Sequence, residues 1–227
     1  MIIFYKNYKR TDRTFISIQS VKHMFPDIDV RCLFLYDNDT SEYDLDIEKF
    51  KSIGVTCYLD KKTYNFKKLS AAGSSLNGYY FTEGINKIYN IVKNYDTKVL
   101  ILDEDSYFTN GDTIKFLLSN QFDLGWAYWK CPPNPIRYPK RDIGINGSIV
   151  AINPKNLSKY FPIPEVQEYI EHLLGFELYD KCINDGLSVI KIPTRLYDDY
   201  CGDGTHTNDI EEMKLELVKN NINFKEL

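Results

Sequence analysis

Lys98-Val99-Leu100-Ile101-Leu102-Asp103-Glu104-Asp105 is a short apolar run that stops abruptly in three acids. Apolar residues without alternation predict a strand covered on both faces, the kind found in a parallel sheet. Ligands of open α/β sheets collect at the carboxyl ends of the strands, so these acids sit where a site is expected. In extended chain, residues i and i+2 point the same way, which turns Asp103 and Asp105 together and Glu104 elsewhere. Two hard carboxylates at that spacing suit Mg²⁺ or Mn²⁺, with diphosphate oxygens and water completing an octahedron. Consecutive acids behind a buried strand repel one another without a cation. The plainer use of the same residues is an acidic strand end that solvates a turn.

Toward the N-terminus the pattern alternates strand and helix. Ile2 to Tyr5 reads as a strand, and Phe15, Ile18, Val21 and Met24 form a helical stripe. Val30 to Tyr36 is a second apolar strand, a helix over Leu45 to Ile53 stops at Gly54, and Val55 to Leu59 is a third strand. Ile85, Ile88, Tyr89 and Val92 recur at helical spacing and lead straight into the Val99 strand. Strands alternating with helices predict a mainly parallel sheet with helices on both sides.

The other side of the acids changes character. Phe122 to Trp129 and Gly147 to Ile152 read as strands around a loop holding Pro132, Pro133, Pro135 and Pro139. Pro164 suits the first turn of a helix carrying Val166, Tyr169, Ile170, Leu173 and Leu174. Phe176 to Asn184 extends that helical region, and Val189 to Ile192 is a short strand. Asp209 with Glu212 predicts a capping box for a last helix bearing Ile210, Met213 and Leu217. No repeat or linker divides the 227 residues, which suffice for one domain with its own core.

Composition excludes several classes. A net charge of −4 gives no general reason to bind nucleic acid or an anionic membrane. Lys61-Lys62 and Lys67-Lys68 read as solvated surface. Cys32, Cys57, Cys131, Cys182 and Cys201 are scattered, without a CxxC pair, and read as free thiols of a reducing compartment. The opening MIIFYKNYKR lacks the apolar core of a signal peptide, and no run is long enough to cross a bilayer. A soluble cytoplasmic protein of bacterial or viral setting is the expectation. The 18 tyrosines supply flat faces for stacking on bases and sugars.

An apolar strand followed by Asp103-Glu104-Asp105 near mid-chain resembles the DxD motif of GT-A glycosyltransferases, and the βα pattern extends the likeness loosely over most of the chain. The resemblance implies a GT-A fold, a single α/β domain whose central mixed, mostly parallel sheet is flanked by helices. Residues 1–105 would form the nucleotide-binding half and 106–227 the acceptor-binding half. It implies transfer of a sugar from a nucleotide-diphosphate sugar, UDP- before GDP-linked, to a hydroxyl of a glycan or glycoconjugate. Asp103 and Asp105 would hold Mn²⁺ or Mg²⁺ and, through it, the donor's diphosphate.

Further positions follow from the same resemblance. Asp37, just beyond the second strand, would contact the base, although a plain Asx turn is an equal use of it. His206, in Cys201-Gly202-Asp203-Gly204-Thr205-His206, would add a metal ligand and tilt the preference toward Mn²⁺. His23 and His172 fall on predicted helices as structural residues. Gly144-Ile145-Asn146-Gly147-Ser148, read as a turn before a strand, would let Asn146 touch donor or acceptor. Trp126, Tyr128 and Trp129 would stack on a sugar ring or pack the core.

Inverting members of the family use a carboxylate base from a Glu-Asp pair. Here Glu177 is followed by Leu178, which departs from that pattern, so Glu177 is offered as the base with Asp142, Asp180 and Asp203 as alternatives. Two other classes stay open. Haloacid-dehalogenase-type phosphatases also place DxD after an apolar strand, and Gly202-Asp203-Gly204 fits their later acidic element superficially. Their motif normally follows the first strand, however, and the segment before Gly202 is polar. A domain that binds nucleotide sugar or glycan without turnover is the non-enzymatic alternative.

Overall fold

Strands that are apolar on both faces need cover on both sides, and a computed structural model of the chain supplies it. Residues 1–7, 11–35, 43–60, 75–130, 143–163, 178–195, 204–207 and 209–225 are described; for 43–45, 75–81, 128–130, 143–147 and 206 the description is of backbone alone. The strands are β1 (Ile2–Asn7), β2 (Asp29–Leu35), β3 (Thr56–Asp60), β4 (Val99–Asp103) and β5 (Ser106–Tyr107). They continue as β6 (Leu124–Lys130), β7 (Ile143–Ile152), β8 (Val189–Ile192) and β9 (Thr205–His206). The helices are α1 (Thr11–Met24), α2 (Tyr43–Ser52), α3 (Ser75–Val92), α4 (Asp112–Ser119) and α5 (Ile210–Lys219).

One seven-stranded sheet runs in the order β3-β2-β1-β4-β7-β6-β8, and β5 pairs with β9 apart from it. β1 is parallel to β2 and β4, β3 to β2, and β8 to β6, while β7 runs against both β4 and β6. The expected mixed, mostly parallel sheet is therefore present.

Alternation along the strands divides the core. Ile2, Phe4, Val99 and Ile101 pack with Ile85, Ile88, Tyr89 and Val92 of α3. Ile3, Tyr5, Leu100 and Leu102 pack on the opposite face with Phe15, Ile18 and Val21 of α1 and Phe50 of α2. Each such side chain moved from water to the core contributes about 1.5–3 kcal/mol, which is what holds the layers together. A third cluster of Ile16, Tyr107, Met213, Leu217 and Ile222 fastens α5 to α1 and β5. Gly54 sits at φ 74 just past α2, the left-handed ending expected for a glycine there.

Three local expectations are corrected. Asp103 ends β4, but Glu104 and Asp105 form a turn, so strand alternation does not set the direction of Asp105. β7 begins at Ile143, so the strand expected from Gly147 starts earlier and takes in Gly144 to Asn146. The register with β6 jumps there from Trp126↔Val150 to Ala127↔Asn146, the kind of bulge a strand glycine often marks. The capping box is half made: Asp209 Oδ1 accepts from the backbone N–H groups of Glu211 and Glu212, but the Glu212 carboxylate turns to the Thr207 hydroxyl.

The helix expected from Pro164 lies outside the described residues, as do Cys131 and Cys201. Cys32, Cys57 and Cys182 are free. Burial pushes the thiols of Cys57 and Cys182 up to about 11, so both stay protonated and inert at neutral pH. Among the described residues no helix is long and apolar enough to cross a membrane.

Candidate functional site

The parallel strands deliver their last residues to one edge, with Asn7 ending β1, Asp60 ending β3 and Asp103 ending β4. At the β3 end, Lys87 of α3 pairs with Asp60 and lies 3.4 Å from Glu83. At the centre, Lys6 and Asp103 are register partners on β1 and β4. The Lys6 ammonium lies 2.6 Å from Asp103 Oδ1, with Lys6 only 6% exposed and Asp103 30%.

Beyond β4 the chain is pinned by polar groups that α1 buries. Thr14 and Ser17 are fully buried although polar. The Thr14 hydroxyl donates to the Glu104 carbonyl (3.3 Å) and the Ser17 hydroxyl to the Ser106 carbonyl (2.5 Å). Each hydroxyl has one proton, so Asn7 Nδ2 must donate to Thr14 (2.7 Å) and the Tyr5 phenol to Ser17 (2.8 Å). Burial holds the Tyr5 phenol well above its ordinary value, which keeps it a donor. Ser17→Ala is expected to cost about 1–3 kcal/mol by stranding the Ser106 carbonyl and the Tyr5 hydroxyl. A lower midpoint in denaturant unfolding checks this, and an unchanged midpoint would mean that water replaces the hydroxyl.

Ser106 is the hub of the site. Its hydroxyl donates to the Ser148 carbonyl on the β7 bulge (3.1 Å), and in backbone register it faces His206. The Thr207 N–H reaches the Asp105 carbonyl at 3.2 Å. The segment 204–207 is further clamped by Gly204 N–H to the Thr113 hydroxyl (3.0 Å) and by Arg195 N–H to the Gly204 carbonyl (2.8 Å). A Cβ on Gly204 would stand 2.9 Å from Phe108 Cε1 and 3.3 Å from Ile149 Cδ1. Gly204→Ala must therefore push β9 off β5, at a cost of about 1–3 kcal/mol. Thermal unfolding checks the cost, and a full-strength variant would mean that the segment relaxes freely.

The residues named from the sequence are thus distributed as follows. Asp105 and the backbone of His206 flank Ser106, Asp103 ends β4 just before that turn, and Asn146, paired with Ala127, borders the bulge whose Ser148 carbonyl accepts from Ser106. Trp126 is fully buried in the core between sheet and α3, and so takes the packing use rather than the stacking one. Asp37 and Glu177, like Asp142 and Asp203, lie outside the described residues, and so do the side chains of Asn146, His206, Tyr128 and Trp129. Among the described residues no three His, Cys, Asp or Glu side chains gather into a metal-binding group. The donor types in the candidate set, two carboxylates and an imidazole whose backbone pairs with Ser106, are those that suit a divalent ion of the Mn²⁺ type.

Three residues escaped the sequence reading. Lys6 follows the strand read over Ile2 to Tyr5 and is part of β1, and its partner depends on strand order. Asn7 Oδ1 and one guanidinium nitrogen of Arg13, Nη1, are buried without a hydrogen-bond partner. Unmatched polar atoms at the edge of a sheet are what a polar ligand satisfies.

No protein-family model matches the sequence, and no curated protein does either. Solved structures do match in fold. The galactosyltransferase LgtC, in complex with donor and acceptor sugar analogs, is 14% identical, with 84% of this chain and 73% of that one covered at a TM-score of 0.55. A nucleoside-diphosphate-sugar pyrophosphorylase from Vibrio cholerae RC9 is 12% identical over 96% of this chain and 100% of that one, TM-score 0.55. The mannosyltransferase PcManGT from Pyrobaculum calidifontis, in complex with GDP-Man and Mn²⁺, is 10% identical over 100% and 65%, TM-score 0.52. The chain has the fold these glycosyltransferases and nucleotidyltransferases share. Asp103 ends the fourth strand rather than the first, which removes the ground for the phosphatase reading.

Proposed function

We propose that this chain is a metal-dependent glycosyltransferase that moves a hexose or deoxyhexose from a UDP- or GDP-sugar, UDP- by preference, to a hydroxyl of a glycan or glycoconjugate. The observation that carries this reading is the β5–β9 pairing, which sets His206 opposite Ser106, the residue after Asp105, at the carboxyl edge of the sheet. That backbone pairing brings the segment of His206 beside the one that holds Asp105, which supports reading them together as Mn²⁺ or Mg²⁺ ligands. A cation held there by Asp103, Asp105 and His206 supplies positive charge for the departing diphosphate.

The chain's own groups do the rest. Asn7, at the end of β1, and Arg13, in the first turn of α1, offer unmatched polar atoms suited to the ribose and diphosphate of a donor. Asp37 reads the base, and Asn146, on the bulge, contacts donor or acceptor. Glu177 takes the acceptor proton. The division into a nucleotide half, 1–105, and an acceptor half, 106–227, follows from that assignment.

A panel of UDP- and GDP-hexoses incubated with the chain tests the reading. Release of a nucleoside diphosphate from one donor, stopped by EDTA and restored by Mn²⁺, is expected. A second reading, sugar nucleotidyl transfer, draws on the near-complete overlap with the Vibrio pyrophosphorylase. It predicts pyrophosphate release from a nucleoside triphosphate and a sugar phosphate instead. Absence of both turnovers, with nucleotide sugar bound, would leave the non-catalytic binding domain.

A further inference from the structure

A lysine in a buried strand needs a partner, because a buried ammonium without one is strongly unfavourable. Lys6 has 6% of its side chain exposed, and its Nζ lies 2.6 Å from Asp103 Oδ1. The two residues are directly opposed in the β1–β4 register, so the backbone delivers both to one spot. Helix α3 is shaped around the arrangement. A Cβ on Gly84 would meet Lys6 Cδ at 2.8 Å and Cγ at 3.3 Å, so the glycine is what lets the helix lie over the lysine stem. The pair is built in, and one of its members is the first acid of the candidate metal set.

We infer that Lys6 is a resident counter-cation for Asp103: a positioning residue that holds this carboxylate when no metal is bound and lowers the affinity of the site for a divalent ion. The inference rests on the metal role proposed above for Asp103 and Asp105. An ammonium and a divalent cation on one carboxylate repel each other, and their separation is too short and too sheltered for salt to screen. With Oδ1 engaged by Lys6, Oδ2 would be the Asp103 oxygen left to a metal. The metal-free chain then keeps Asp103 neutralised beside Glu104 and Asp105. The device favours a site loaded together with the donor's diphosphate, whose negative charge offsets the lysine, over one that holds bare metal.

Titration of the metal-free chain with MnCl₂, followed by calorimetry and by thermal unfolding, tests this on the native protein, Lys6→Met and Gly84→Ala. Lys6→Met is expected to unfold at a lower temperature without metal. It should bind Mn²⁺ at least tenfold more tightly than the native chain, a change of about 1.4 kcal/mol, and regain stability when loaded. Gly84→Ala, which displaces the lysine stem while keeping the charge nearby, should tighten Mn²⁺ about threefold, and it carries the test should Lys6→Met not fold. Native protein that binds Mn²⁺ with variants that bind it equally or more weakly overturns the inference and leaves the metal site standing. Failure of the native chain and both variants to bind Mn²⁺ overturns the metal reading and this inference with it.

Discussion

Asp105→Asn is expected to lower metal-supported turnover of the nucleotide sugar by roughly 10²–10³-fold, the scale seen when one stabilising group is taken from a developing charge. The fold should not notice. The backbone bond from the Thr207 N–H to the Asp105 carbonyl is one that asparagine keeps. The substitution conserves shape and removes the negative charge alone, so the thermal midpoint should stay within about 2 °C, the shift of less than 1 kcal/mol in a chain of this size. Nucleoside diphosphate release in the presence of Mn²⁺, alongside a melting curve, checks both halves. Full turnover in Asp105→Asn would take this carboxylate out of the metal set.

Trp126→Ala is the largest expected loss of stability, about 3–5 kcal/mol for an aromatic side chain removed from a closed core. The indole is fully buried and packs with Phe4, Leu124 and Ile152 beside α3. The melting point should fall by roughly 2–4 °C for each kcal/mol lost, while the affinity of the folded protein for donor changes little. An unaltered melting point with weakened acceptor binding would instead restore Trp126 to the sugar platform its type suggests.

The layers were legible because their signal is local. The largely apolar runs at 30–36 and 99–102 call for cover on both faces, which the 85–92 stripe supplies on one and the 15–24 stripe on the other. The acids at 103–105 were legible for the same reason, since a buried strand that ends in charge marks its own edge. Their mutual direction was not. The turn at Glu104 and Asp105 is fixed by Thr14 and Ser17 of α1, whose hydroxyls bond backbone carbonyls that no spacing rule reveals.

Lys6 shows the same limit in another form. It lies beyond the strand read over Ile2 to Tyr5, and Asp103 becomes its neighbour only because β4 inserts beside β1 in the order β3-β2-β1-β4. The strand character of 143–146 was hidden by the glycines at 144 and 147, which suit a turn equally, yet the segment pairs with β6 beside a bulge. His206 sat in a polar, glycine-containing stretch that resembled a loop. Its pairing with Ser106 depends on Gly204 approaching Phe108 closely, a contact between distant segments rather than a property of either one.

Calorimetric titration of UDP, GDP and CDP into the native chain, with and without Mn²⁺, tests the central claim most directly. The account predicts that one nucleoside diphosphate, UDP first, binds tightly with Mn²⁺ and at least tenfold more weakly after EDTA. Binding that is indifferent to Mn²⁺, or no binding of any of the three, would contradict a donor site built on Asp103, Asp105 and His206.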